Sequence, residues 1–179
     1  MMNPERRFAA LVLSHGRPDR VHTLRTLRRS GYTGPVHIVV DDEDARLSEY
    51  REAFGSDLIV FSKSEVAATF DEADNFAERR TVAYARNAFW GIARDLGLTH
   101  FVQLDDDYQA FSLRAGPGGS YGTWNITFLD EVFDLLLDYL DMTPALSVAM
   151  AQGGDYIGGL ASSRISTIKA SRKAMNSFL

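Results

Sequence analysis

The sequence predicts an α/β protein built on a mostly parallel sheet with helices on both faces. Three observations carry this expectation. Short apolar runs, FAALVLS (8–14), VHIVV (36–40), LIVF (58–61) and HFVQL (100–104), read as buried strands. Between them lie stretches whose apolar residues recur at helical spacing. Strands that alternate with helices close by right-handed crossovers into a parallel sheet.

Each element has a local reason. FAALVLS is bounded by Gly16 and Pro18, which stop a strand. Pro18 and Asp19 then open RPDRVHTLRTLRRSGY, where Val21, Leu24 and Leu27 share a helical face and Gly31 supplies the end. VHIVV is rich in β-branched residues and ends at once in Asp41-Asp42-Glu43-Asp44. A short helix is expected around 45–54, and residues 62–76 read as a polar connection. A long helix is expected from Glu78 to Leu96, burying Val82, Ala85, Phe89, Ile92, Ala93 and Leu96 and capped by Gly97. Ala115 to Gly122 is a glycine-rich loop expected to move. TFLDEVFDLLLDYL (127–140) predicts an amphipathic helix, LSVAMAQ (146–152) a further strand and GGDYIGG (153–159) a tight turn. No repeat or linker interrupts the pattern, so residues 1–179 are expected to form a single domain.

Composition narrows the class. With 179 residues, 45% hydrophobic and 24% charged, the chain can bury one substantial core. No apolar run nears the roughly 20 residues of a membrane helix, and the N-terminal residues lack a secretory pattern. A cytoplasmic location, with no membrane partner, is the expectation. The absence of cysteine excludes disulfides, thiolate metal sites and cysteine nucleophiles. A net charge of -5 argues against a generally basic nucleic-acid binder, yet the charge is uneven. Arg17 to Arg29 holds five arginines and one aspartate, and beyond Asp155 only Arg164, Lys169, Arg172 and Lys173 carry charge. Such runs read either as solvated faces or as surfaces that meet polyanions.

Parallel sheets bind ligands beyond the carboxyl ends of their strands. Four polar clusters fall there: Ser14-His15-Gly16-Arg17, Asp41-Asp42, Asp105-Asp106-Asp107 and Gln152-Gly153-Gly154-Asp155. Three adjacent carboxylates repel one another unless a cation relieves them. On an extended strand Asp105 and Asp107 share one side and Asp106 points to the other, so the first two can face a divalent ion together. Hard ions such as Mg²⁺ or Mn²⁺ take oxygen ligands and often bridge a diphosphate. Asp41 and Asp42 can accept hydrogen bonds from a ribose hydroxyl or a base N–H, or one of them can cap a helix. Gly16 lets backbone approach a ligand at a helix start, where Arg17 adds charge. Arg79, Arg80 and Arg86-Asn87 fall on the expected long helix, with Arg79 and Arg86 two turns apart, and arginine grips phosphate bidentately. The turn is neither a dinucleotide fingerprint nor a P-loop.

In this order SHGRP, DDED, ARN (85–87), LDDDY (104–108) and GGDYIGG resemble the nucleotide-sugar half of a GT-A glycosyltransferase. More narrowly, the chain resembles the phage TET-associated glycosyltransferases, over roughly residues 8–179. The resemblance implies a GT-A-like, Rossmann-like fold and a metal-dependent transfer of sugar from a nucleotide-diphosphate sugar, UDP-linked by expectation. The acceptor it implies is a hydroxyl such as that of a hydroxymethylated pyrimidine in phage DNA. Asp107 would hold Mn²⁺ or Mg²⁺, and Asp105 would contact the metal or ribose. Asp41 or Asp42 would read uracil or ribose, Arg17 base or phosphate, and Arg86 the diphosphate or sugar. Gly153 and Gly154 would leave room for the donor sugar. Ser14, His15, Gly16, Arg79, Asn87 and Asp106 complete the implied donor-binding set, and the 115–122 loop would close over it.

The catalytic base stays open, with Asp155 the one nearby carboxylate. The acceptor portion expected of such enzymes is either outside this chain or small. Other readings of the same residues are a non-catalytic nucleotide-sugar or nucleic-acid-binding module, a nucleotidyltransferase, or an aspartyl phosphohydrolase.

Overall fold

The computed structural model describes residues 6–72, 79, 81–115, 122–150 and 179. Strands β1 (Phe8–Leu13), β2 (Val36–Asp41), β3 (Leu58–Phe61) and β4 (His100–Asp105) form an all-parallel sheet in the order β3-β2-β1-β4. The chain therefore winds outward from β1 to β3 and then returns to β1's other side with β4. That reversal, between β1 and β4, opens a crevice at the strands' carboxyl ends. Register fixes its rim, because Leu13 pairs with Asp105 and the residues that follow each strand meet there.

Alternation along the strands makes two cores. Ala10, Val12, Ile38, Val40, Val102 and Leu104 face one side, where α1 (His22–Arg29), α2 (Leu47–Phe54) and α5 (Leu129–Met142) cover them. Leu11, Val39 and Phe101 face the other, under α3 (Lys63–Ala67) and α4 (Ala83–Asp95). Helices on both faces of a parallel sheet give the Rossmann-like arrangement of the GT-A type. On the first side Phe8, Tyr32 and Phe133 pack edge to face with ring centroids 5.3 to 6.1 Å apart. Such rings add about 0.5–1.5 kcal/mol per pair beyond the area they bury.

Several boundaries differ from expectation. α4 starts at Ala83, not Glu78, so Arg79 precedes the helix rather than standing on it two turns before Arg86. Its end is as expected: Gly97 sits at φ 65°, with its N–H on the Arg94 carbonyl and that of Leu98 on the Ala93 carbonyl. The 62–76 connection contains α3, a helix of one and a half turns too short to show periodicity. After β4 a hairpin forms from β5 (Ser112–Ala115) and β6 (Gly122–Asn125), antiparallel and separate from the main sheet. The described part of LSVAMAQ, 146–150, forms no strand beyond a single bridge at Ala149. Val148 exchanges both backbone hydrogen bonds with Leu179, at 2.9 and 3.2 Å. Most of the 115–122 loop, Arg80, Gly153, Gly154, Asp155 and the cations from Arg164 to Lys173 lie outside the described residues.

Candidate active site

A cleft of about 290 Å³ occupies the crevice beyond β1 and β4. The β1 turn lines it with Ser14, His15 and Arg17, β2 with Asp41, and the β4 turn with Asp105, Asp106 and Asp107. Lys63, Arg79, Thr81 and Tyr84 close the α4 side.

The three aspartates have different surroundings. Asp106 is buried in the turn that follows β4. Ser14 Oγ donates to its Oδ2 at 2.6 Å, and Arg17 grips both oxygens, Nε to Oδ2 at 2.9 Å and Nη2 to Oδ1 at 2.6 Å. Tyr50, fully buried on α2, joins the network through Ser14 Oγ at 2.7 Å and the Arg17 N–H at 3.0 Å. Asp106 therefore ties β1's turn to β4's and has little capacity left for a ligand. Asp105 is half-buried, with Arg86 Nη2 2.9 Å from Oδ1. Burial pushes its carboxyl above the ordinary range, Arg86 and Arg17 pull it down, and neighbouring Asp107 and Asp106 push it up again, so the net shift is upward. Asp107 is exposed at the turn.

A second acidic group forms beyond β2. His15 Nδ1 lies 2.8 Å from Asp41 Oδ2 and 3.2 Å from Asp44 Oδ2, and the three residues could together hold a metal ion. Their present partners favour another role. Lys63 Nζ stands 2.8 Å from Asp41 Oδ1, and both side chains are over 90% buried. Asp44 takes the Gly16 N–H at 2.6 Å and the Arg46 N–H at 2.8 Å, one on each oxygen. A dication here would stand beside an ammonium on the same carboxylate. Burial alone would raise the Asp41 carboxyl, but Lys63 and His15 outweigh it and hold it below the usual range. Gly16 meets Asp44 in a turn at φ 69°, a conformation that disfavours a side chain.

The remaining expected residues are placed as follows. Asp42 is exposed and accepts the Lys63 N–H at 3.0 Å, so it caps α3. Arg79 Nε reaches Glu72 at 3.3 Å, and Glu72 also accepts a hydrogen bond from the Tyr84 hydroxyl. Asn87 is exposed, bonds the Ala83 carbonyl on its own helix at 2.9 Å and does not line the cleft.

A family model described as TET-Associated Glycosyltransferase matches residues 8–179. The chain belongs to this family. It is a glycosyltransferase, and an enzyme of that kind draws its sugar from a nucleotide-sugar donor. Neither a curated protein nor a solved structure matches the chain. Among the described residues no helix is long and apolar enough to cross a membrane.

Two residues that shape this TET-associated glycosyltransferase's cleft, Lys63 in its lining and Tyr50 behind the β1 turn, escape a reading of the sequence. Lys63 lies in what reads as a polar connection, although it follows the end of LIVF, the strand β3. Tyr50 is an aromatic on a short helix, and nothing in its spacing marks a hydroxyl aimed at the β1 turn. Strand ends, taken as a set, were the signal for Lys63; Tyr50 had none.

Proposed function

We propose that this glycosyltransferase moves a sugar from a nucleotide-diphosphate sugar, UDP-linked, to an acceptor hydroxyl, with Asp105 and Asp107 holding Mn²⁺ or Mg²⁺. The acceptor we favour is a hydroxymethylated pyrimidine in DNA. The observation that carries the reading is the division of labour at the β4 turn. Asp106 is consumed by Arg17 and Ser14, whereas Asp105 and Asp107 line the cleft with oxygens to spare. An all-oxygen donor pair beside arginine suits a hard dication on a diphosphate. When bound, that ion supplies Lewis-acid charge to the departing diphosphate.

The chain's own residues account for the rest. Breaking the bond between sugar and phosphate gathers negative charge on the leaving oxygens. Arg86, fixed by Asp105, and Arg79, fixed by Glu72, present guanidinium donors to that charge without having to reorganise. Asp41, held ionised by Lys63, accepts from a base N–H or a ribose hydroxyl. Gly153 and Gly154 leave space for the sugar in this scheme.

The test is thermal stabilisation by uridine diphosphate with and without Mn²⁺. Stabilisation only when both are present supports the reading. Stabilisation by neither, or by the nucleotide alone to the same extent, refutes metal-bridged donor binding.

A further inference from the structure

The β5–β6 hairpin takes no part in the chemistry above, yet it carries an unusual aromatic. Trp124 is 54% exposed, and its cross-strand partner Leu113 is 50% exposed. Gly122, two residues before Trp124, lies on the same face of the strand. The space a side chain would fill at Gly122 is taken by the indole, whose Cζ3 stands 2.9 Å from the position of a Cβ. The outer edge of the ring thus lies against Gly122, in space that only a residue without a side chain leaves open.

The hairpin follows the β4 turn closely in the chain, and the segment after it is tied to the end of α1 by the Leu129 N–H on the Ser30 carbonyl. Only four residues separate Asp107 from Ser112, a reach of at most about 18 Å. α1 is laced to the connecting segment: Thr23 Oγ1 donates to the Asp105 carbonyl at 2.6 Å, Thr26 Oγ1 to the Tyr108 carbonyl at 2.8 Å, and Arg29 to that of Gln109. Arg25 and Arg29, one turn apart on α1, are both exposed, and Arg29 reaches this segment.

We infer that Trp124, lying against Gly122, is the platform on which an unpaired base of a nucleic-acid acceptor stacks, with Arg25 and Arg29 meeting its phosphates. The inference rests on the glycosyltransferase reading for its purpose, because an enzyme that modifies a base must take that base out of the helical stack. An aromatic plane with adjacent cations is how single strands are held without sequence preference. A neutral glycan could also stack on indole, but it has no use for the arginines.

The test uses the full chain with Trp90→Phe, which leaves Trp124 as its one indole. Its fluorescence is followed during titration with a single-stranded thymidine 12-mer and with an abasic 12-mer of equal charge, neither with donor present. Quenching by the first and not the second is expected. Trp124→Ala should weaken thymidine 12-mer binding about tenfold by fluorescence anisotropy, and Trp124→Phe should retain most of it. Gly122→Ala keeps the indole but displaces it, so it should match the Trp124→Ala loss; it decides the matter if Trp124→Ala does not fold. Equal quenching by the abasic strand, unchanged affinity in Gly122→Ala, or tighter binding of maltohexaose than of the 12-mer overturns the platform. A chain that stacks the 12-mer but gains nothing from uridine diphosphate with Mn²⁺ loses the donor reading and keeps the platform. The converse result loses the platform alone.

Discussion

Arg17 and Asp106, 89 positions apart, are joined by two hydrogen bonds of 2.9 and 2.6 Å, one to each carboxylate oxygen. Arg17 is half-exposed while Asp106 is buried. The pair therefore fastens the two turns of the cleft and is asymmetric in what its loss leaves behind. Arg17→Ala leaves a buried carboxylate with Ser14 as its main donor, and should destabilise the fold by about 1–3 kcal/mol in urea denaturation. Wild-type stability in that variant would show that water replaces the guanidinium without cost.

Neighbouring aspartates should separate stability from binding. Asp107→Ala removes an exposed side chain and should change stability by no more than about 0.5 kcal/mol. The same change should eliminate the Mn²⁺ dependence of nucleotide binding, read by calorimetry. Asp106→Ala should do the reverse, with a large drop in melting temperature. If both variants behave alike, the two carboxylates do not divide their roles.

The buried Lys63–Asp41 pair makes a prediction through a double-mutant cycle. Lys63→Met leaves a buried carboxylate supported by His15 and backbone, at a cost of about 3 kcal/mol. Adding Asp41→Asn should recover much of that loss, because no uncompensated charge remains. Additive losses would show that the two groups do not depend on each other. The pair also has a pH signature. Asp41 is held below its ordinary carboxyl value of 3.8, so its contribution is complete above that pH and disappears as pH falls through the lower folded value.

His37 titrates with a different origin. Burial lowers its pKa beneath the ordinary 6.5, and Nδ1 is buried with no hydrogen-bond partner among the described residues. Below pH 6.5 the unfolded chain takes up a proton that the folded chain refuses, so stability falls as pH drops toward the folded value and levels off beneath it. His37→Phe should flatten that part of the stability–pH curve. An unchanged slope in thermal melts between pH 5 and 7 would assign the effect to another group.

The sheet and the β1–β4 crevice were legible because buried parallel strands are short, continuous apolar runs; four of the five such runs became strands within a residue of expectation, and LSVAMAQ did not over its described residues. What stayed hidden was local or cooperative. α3 is too short for periodicity and depends on a cap from Asp42, 21 positions earlier. The hairpin's outward Leu113 and Trp124 give no alternation against a core. At the site, strand spacing set Asp106 apart from its neighbours, but β4 ends at Asp105, and Asp106 is buried in the turn that follows by its bonds to Ser14 and Arg17. Its capture by Arg17 could not be read, because a hydrogen bond across 89 positions leaves no mark in local sequence.

That remoteness has a consequence during synthesis. β1, β2 and β3 can assemble from the first third of the chain, but Ser14 meets Asp106 only after a further 92 positions have emerged. Until then the pocket has one wall, and donor binding cannot assist maturation. Completion of the cleft is thus a late event in folding: an intermediate caught before β4 docks would hold three of the sheet's four strands and lack the wall made by Asp105, Asp106 and Asp107.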